Sequence, residues 1–325
     1  MLIVFIWLGG NPESALAEDA LPSRKELLAT PIPEWPTEPM SKTQRAEAEH
    51  HLDTMIKAGE QAWSGIVTAE ETRFGVRASP RVPNDSTWKM TFDRKQGTIR
   101  FERSQGPRNL LYIENTQEVL FRNTLIGDRG PRPIHRHPIG WNQIPLGGRP
   151  PDLRNIAIAG STTYLSSKSY SKYRQALLTN VRPRLVGLRK NDAGQILLFC
   201  ELTPSQVIPS IKNRKVLWVD SKRNGVRVRD ANWHLFPDGR WQLTNASAVS
   251  WEKVNDVYAP SQFRSLVNQS SINGIEVTLD WQLVNQPISE DTFHLESLNL
   301  PNGTQIVSHK SGQRVVESRV GDSNE

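Results

Sequence analysis

Gly274-Ile-Glu-Val-Thr-Leu-Asp-Trp-Gln-Leu-Val284 alternates without a break. Ile275, Val277, Leu279, Trp281 and Leu283 fall on one side, and Glu276, Thr278, Asp280 and Gln282 on the other. Successive side chains of an extended strand point to opposite faces, so the stretch predicts a strand with one apolar and one polar face. Thr87-Trp-Lys-Met-Thr-Phe-Asp93 repeats the pattern, with Trp88, Met90 and Phe92 together and Thr87, Lys89 and Thr91 opposite them. Two-faced strands of this kind belong to antiparallel sheets.

Outward from these two stretches the period of two persists from Ile66 onward. Short apolar runs are separated by polar turns such as Lys95-Gln-Gly97, Glu114-Asn-Thr116, Asn191-Asp-Ala-Gly194 and Ser221-Lys-Arg-Asn-Gly225. These are meander signatures, and they predict about twelve strands. Strands do not alternate with long helices, which argues against a parallel doubly wound sheet. One clear helix precedes the strands. SKTQRAEAEHHLDTMIKAGEQAW, residues 41–63, has no proline, and Ala48, Leu52, Met55 and Ile56 give it one apolar stripe. Ser41 is its expected N-cap, and Gly59 or Gly65 its end.

The flanks read differently. MLIVFIWLGG, residues 1–10, is apolar and uncharged, and far short of the roughly 20 residues that span a bilayer. Pro12 and then Ala15-Leu16-Ala17 follow, which fits a cleavable export signal cut between Ala17 and Glu18. Residues 18–40 carry Pro22, Pro31, Pro33, Pro36 and Pro39 and predict an extended linker. The folded domain is expected over residues 41–316, with a Pro-, Gly- and Arg-rich loop insertion at 123–155, a short helix near 170–178, and a polar tail at 317–325. The expected location is therefore the periplasm or the extracellular space, without a transmembrane segment.

The chain has 325 residues, a net charge of +6 and a single cysteine. That length allows a substantial core. Cys200 can form no internal disulfide, and its apolar setting, Ile196-Leu-Leu-Phe-Cys200, makes it a small buried hydrophobe. The modest basic excess is spread along the chain, so an anionic envelope component is an admissible partner and nucleic acid is not expected.

Several local features resemble the periplasmic lipoprotein-carrier superfamily, LolA/LolB-like proteins. Gly65-Ile-Val67 opens the first strand after the helix, and Trp88-x-Met-x-Phe-Asp93 is followed by Arg100-Phe-Glu102. Leu217-Trp-Val-Asp220 with Asn224-Gly-Val-Arg-Val228 looks like that family's middle hairpin, and Ser250-Trp-Glu-Lys-Val-Asn-Asp-Val-Tyr-Ala-Pro260 looks like its strand, turn and proline ending. Together they span most of residues 41–285. The stretch 293–312 looks more like exported proteins of planctomycete-type bacteria. The resemblance implies a mainly β fold: a curved antiparallel sheet, an incomplete β-barrel, with the N-terminal helix and short helices packed on its concave face. It also implies an apolar cavity that holds acyl chains of a lipid or lipidated protein.

Ten tryptophans are the most informative bulky residues. Trp88, Met90, Phe92, Trp218, Trp251 and Trp281 are the expected apolar ligand face. His135-Arg-His137 could turn both rings to one side of an extended segment, but no third ligand is adjacent; a proline-bounded surface loop without metal is expected there. His50-His51 lies about 100° apart on a helix and chelates poorly. Glu70 and Glu71 fall on opposite faces of a strand end, so they form no catalytic pair. Gly160-Ser161 is no nucleophile elbow, and no P-loop or G-x-G-x-x-G occurs. The arginine-rich stretches 129–136 and 182–190 read as surface. The expectation is a non-catalytic, cofactor-free binder of a hydrophobic ligand. The alternative is an envelope structural or interaction module with a filled core and a basic docking loop.

Overall fold

The structure is a computed structural model. It describes residues 21–75, 83–127, 130–139, 150–159, 175, 184–202, 212–268, 272–310 and 313–321. The export signal with Ala17 and Glu18, and all of the helix expected near 170–178 except Gln175, lie outside the described residues.

Among the described residues, fifteen strands form one open sheet. β1 (Ser64–Phe74), β2 (Asp85–Asp93), β3 (Thr98–Gln105), β4 (Arg108–Glu114), β5 (Glu118–Leu125) and β6 (Ile134–Pro138) make one antiparallel meander. β7 (Leu185–Lys190), β8 (Ile196–Leu202), β9 (Asn213–Asp220), β10 (Val226–Leu235), β11 (Trp241–Val254), β12 (Val257–Asn268) and β13 (Ile272–Val284) make a second. The two meanders join where β1 pairs with β13. A hairpin of β14 (Gln305–Lys310) and β15 (Gln313–Arg319) adds to β6 through the parallel β14–β6 pair. The sheet ends at β15 and β7 and does not close, so it is a curved open sheet. The pattern had predicted about twelve strands. The extra ones include β6, which lies inside the expected 123–155 loop, where Pro131, Pro133 and Pro138 break the alternation that marks a strand.

Bulges bend the strands and redirect side chains. Between Ile66–Leu283 and Val67–Trp281 the β1–β13 register slips, leaving Gln282 as an extra residue. Trp281 therefore packs into one face while Leu283 packs into the other. The unbroken alternation expected through Leu283 stops at this bulge. Further shifts at Arg227–Arg229, Asn232–Trp233 and Ser250–Trp251 curve the long strands β10 to β12.

The concave face carries the helices. α2 (Lys42–Glu60) starts at a capping box: Ser41 Oγ accepts from the Gln44 N–H at 3.2 Å, and Gln44 Oε1 accepts from the Ser41 N–H at 2.9 Å. Its predicted stripe, Ala48, Leu52, Met55 and Ile56, is buried against the sheet. α3 (Leu153–Ala159) lies against α2. Gly59 permits the approach, since a Cβ there would meet Ile158 Cγ1 at 2.7 Å.

Two segments, residues 21–40 and 285–300, cover the outer face. Residues 21–40, expected as a linker, are docked. Their short helix α1 (Arg24–Leu28) has its own capping box and buries Leu27 completely against β8 to β12. Trp35 stands edge-on to Phe199 at 5.2 Å, and the Arg214 guanidinium lies 4.5 Å from Trp35 and 4.3 Å from Trp241. The apolar residues between the prolines supply this docking, which proline content alone does not reveal. Residues 285–300 pack Ile288 and Phe293 over Ile113, Leu120 and Ile134 on the other half. The last strand runs to Arg319, so the expected tail is partly sheet.

Candidate functional site

Of the six residues expected to form a ligand face, five converge. Trp88, Met90, Phe92, Trp251 and Trp281 belong to one buried cluster beneath α2 and α3. Trp218 does not. On β9 its neighbours Leu217 and Val219 face the helices, so Trp218 packs on the outer face with Trp233 and Leu27. The Trp251 indole donates to the Arg227 carbonyl and the Trp281 indole to the Pro260 carbonyl, each at 2.8 Å. Trp88 Nε1 is buried and has no hydrogen-bond partner among the described residues.

Among the described residues, a cleft lies between Met90, Phe92 and Ile99 of the sheet and Leu153 of α3. This cleft has a volume of about 100 Å³, with Asp152 and Arg154 at its rim. Asp152 holds the start of α3, accepting from the Arg154 N–H at 2.9 Å and pairing with its guanidinium at 2.7 Å. Larger clefts of about 370 and 280 Å³ lie between the sheet and the terminal segments, where charged and polar groups dominate the walls.

Arg227 fastens α3 at its Ile156 and Ala157 carbonyls. It is wholly buried, yet its guanidinium donates to the Ala157 carbonyl at 3.0 Å, the Ile156 carbonyl at 2.5 Å and Ser247 Oγ at 2.8 Å. Asp230 forms its ion pair and also accepts from Ser247 Oγ at 2.9 Å. The sequence reading missed this residue; the available signal was a charge set between Val226 and Val228, with Asp230 three residues on. Glu71, read as one half of an unproductive pair, is also buried. It pairs with Arg103 at 2.6 Å, and Arg103 donates to Ser86 Oγ at 2.9 Å. Burial pulls the Arg103 guanidinium below its ordinary range, and the Glu71 carboxylate opposes that.

A second constellation sits at the β6 rim of the concave face. β6 is a strand and not the surface loop expected, so His135 and His137 turn to one side, beside Phe121 and Val119 of β5. The parallel β14–β6 pairing brings His309 to the same place across more than 170 residues. His135 Nδ1 and His309 Nε2 are 2.9 Å apart, and the His137 and His309 rings stack with centroids 4.3 Å apart. Burial, then the neighbouring His309 and His135 rings, push His137 down to about 4. Burial, His309 and Arg314 also lower His135. No local spacing in the sequence links His309 to the pair. His50 and His51 remain on α2 as expected. Cys200 is fully buried, and burial pushes its thiol up to about 12.

No protein-family model and no curated protein sequence matches the chain. Solved structures do resemble it. A LolA superfamily protein from Nitrosomonas europaea is 11% identical with a TM-score of 0.42, covering 77% of this chain and 99% of its own. A domain described as an outer membrane lipoprotein-sorting protein from Vibrio parahaemolyticus is 12% identical with a TM-score of 0.39, covering 77% and 98%. A DUF1329 family protein from Desulfovibrio piger is 13% identical with a TM-score of 0.37, covering 78% and 99%.

Proposed function

We propose that this is an exported, non-catalytic binding protein that holds a hydrophobic ligand, a lipid or lipoprotein acyl chain, between the concave sheet and helices α2 and α3. The observation that carries this reading is the apolar cleft under α3, continuous with the buried cluster of Trp88, Met90 and Phe92. Its volume of about 100 Å³ is below the roughly 300–1,000 Å³ of ordinary ligand sites. The cleft is therefore the entrance of a closed state, and an acyl chain enters by lifting α3. Seven residues of that helix are described. Its attachment includes the buried Arg227 contacts to the Ile156 and Ala157 carbonyls, which must be given up for the helix to lift. The leftover Trp88 N–H offers a donor to a ligand carbonyl.

No helix among the described residues is long and apolar enough to cross a membrane. The reading places the protein in the periplasm or outside the cell, with a lipid or lipidated protein as partner. Mass spectrometry of solvent-extracted purified protein should show bound lipid, and fatty-acid probes should gain fluorescence on mixing.

One observation favours a second reading, a structural module with a filled interior: Trp88, Met90 and Phe92 are each no more than 3% exposed. A protein that yields no lipid and leaves the probes unchanged is that module. It would then dock on an anionic envelope component through the basic stretch 129–154, with affinity that falls as salt rises.

A further inference from the structure

We propose that His135, His137 and His309 form a binding site for one divalent transition-metal ion of the zinc class. The site lies outside the acyl-binding cleft and does not depend on it.

Three observations support it. First, each ring offers one nitrogen, and the three nitrogens lie within 4.8 Å of one another. Bonds of about 2.0–2.1 Å in a tetrahedral shell place ligand nitrogens about 3.4 Å apart. Small turns about the Cβ–Cγ bonds therefore converge all three. The stacked His137 and His309 rings must tilt apart, and the proton shared by His135 and His309 must leave.

Second, the cluster arises from backbone register. Ile134, His135 and Arg136 pair in parallel with Ile306, Val307 and Ser308, so the next pair in register is His137 with His309. Alternation keeps His135 on the same face as His137. It sends Arg136 to the other face, where it pairs with Glu118 and Glu317.

Third, the ligand set has a chemical class. Three imidazoles without a thiolate suit zinc, copper or nickel more than calcium or magnesium. No carboxylate among the described residues belongs to the cluster, and Arg314 lies opposite His309 on β15. The bound ion therefore keeps its positive charge and takes water or an anion as fourth ligand. Its structural effect is to staple the C-terminal hairpin to β6, where the pairing spans only three residue pairs.

The test uses untagged full-length protein stripped with a chelator and titrated calorimetrically with Zn²⁺ alone. One equivalent should bind. His135→Ala, His137→Ala and His309→Ala should each weaken binding by more than about 100-fold, beyond the loss typical of outer-shell changes. The double variant His50→Ala with His51→Ala should retain the equivalent, which separates the site from the helical pair. Circular dichroism checks that each variant folds. In wild type, Zn²⁺ should also slow amide exchange in β6 and β14. Absence of uptake by wild type, unchanged affinity in folded His309→Ala, or loss of the equivalent with His50 and His51 overturns the proposal.

Discussion

Arg227 carries a full charge inside the protein, and its surroundings show what allows this. Asp230 neutralises it, while Ser247 and the two α3 carbonyls take three more of its N–H donors. Replacing it by methionine leaves Asp230 buried without its cation. That should cost about 3–5 kcal/mol, read as a lower denaturant midpoint. Removing both charges, Arg227→Met with Asp230→Leu, should restore much of the loss. Either variant frees α3 at its Ile156 and Ala157 carbonyls, so both should take up fatty-acid probes faster than wild type. Unchanged uptake in a folded double variant would separate α3 from ligand entry. Cys200 gives a pH prediction. Its thiol ionises near 12 when folded, against 9.0 in the free side chain. The unfolded chain therefore loses this proton first as pH rises. The stability tied to Cys200 is intact below about pH 9 and declines towards pH 12. At pH 8 the native thiol should resist a disulfide reagent and react only after unfolding. Residue identity was legible where period and burial agreed, as for Trp88, Met90 and Phe92. It failed for Trp218, whose face depends on strand phase, which bulges reset and composition does not record.

Among elements, α2 was legible almost to the residue because Ser41 and Gln44 encode their own cap. Ser41→Ala should cost about 1 kcal/mol, measured by thermal unfolding. β6 and His309 were not legible. Prolines disguise the strand, and the pairing that completes the histidine cluster is a long-range contact. Residues 21–40 were misjudged for a related reason. They show almost no regular structure, yet Leu27 and Trp35 anchor them on the outer face. Deleting them should uncover Phe199, Trp218, Trp233 and Leu243. The truncated protein should bind an apolar dye more strongly and melt at a lower temperature. Leu27→Ala alone should cost about 2–5 kcal/mol, at the upper end only if the segment stays docked around the cavity.

At the scale of the molecule, the sheet is two meanders joined at one seam, with the β14–β15 hairpin added along β6. Each meander pairs neighbours in sequence, and those pairs were what the turn residues could announce. The seam is different: β1 (Ser64–Phe74) lies beside β13 (Ile272–Val284), about two hundred residues later. Contacts of such separation close slowly, because loop entropy is lost before they form. A chain emerging from its N-terminus, from a ribosome or through a translocation pore, presents β1 with one edge bare until nearly everything else has followed. The order of delivery and the order of the sheet disagree there. That disagreement delays completion of the fold until β13 arrives, which suits the export proposed above.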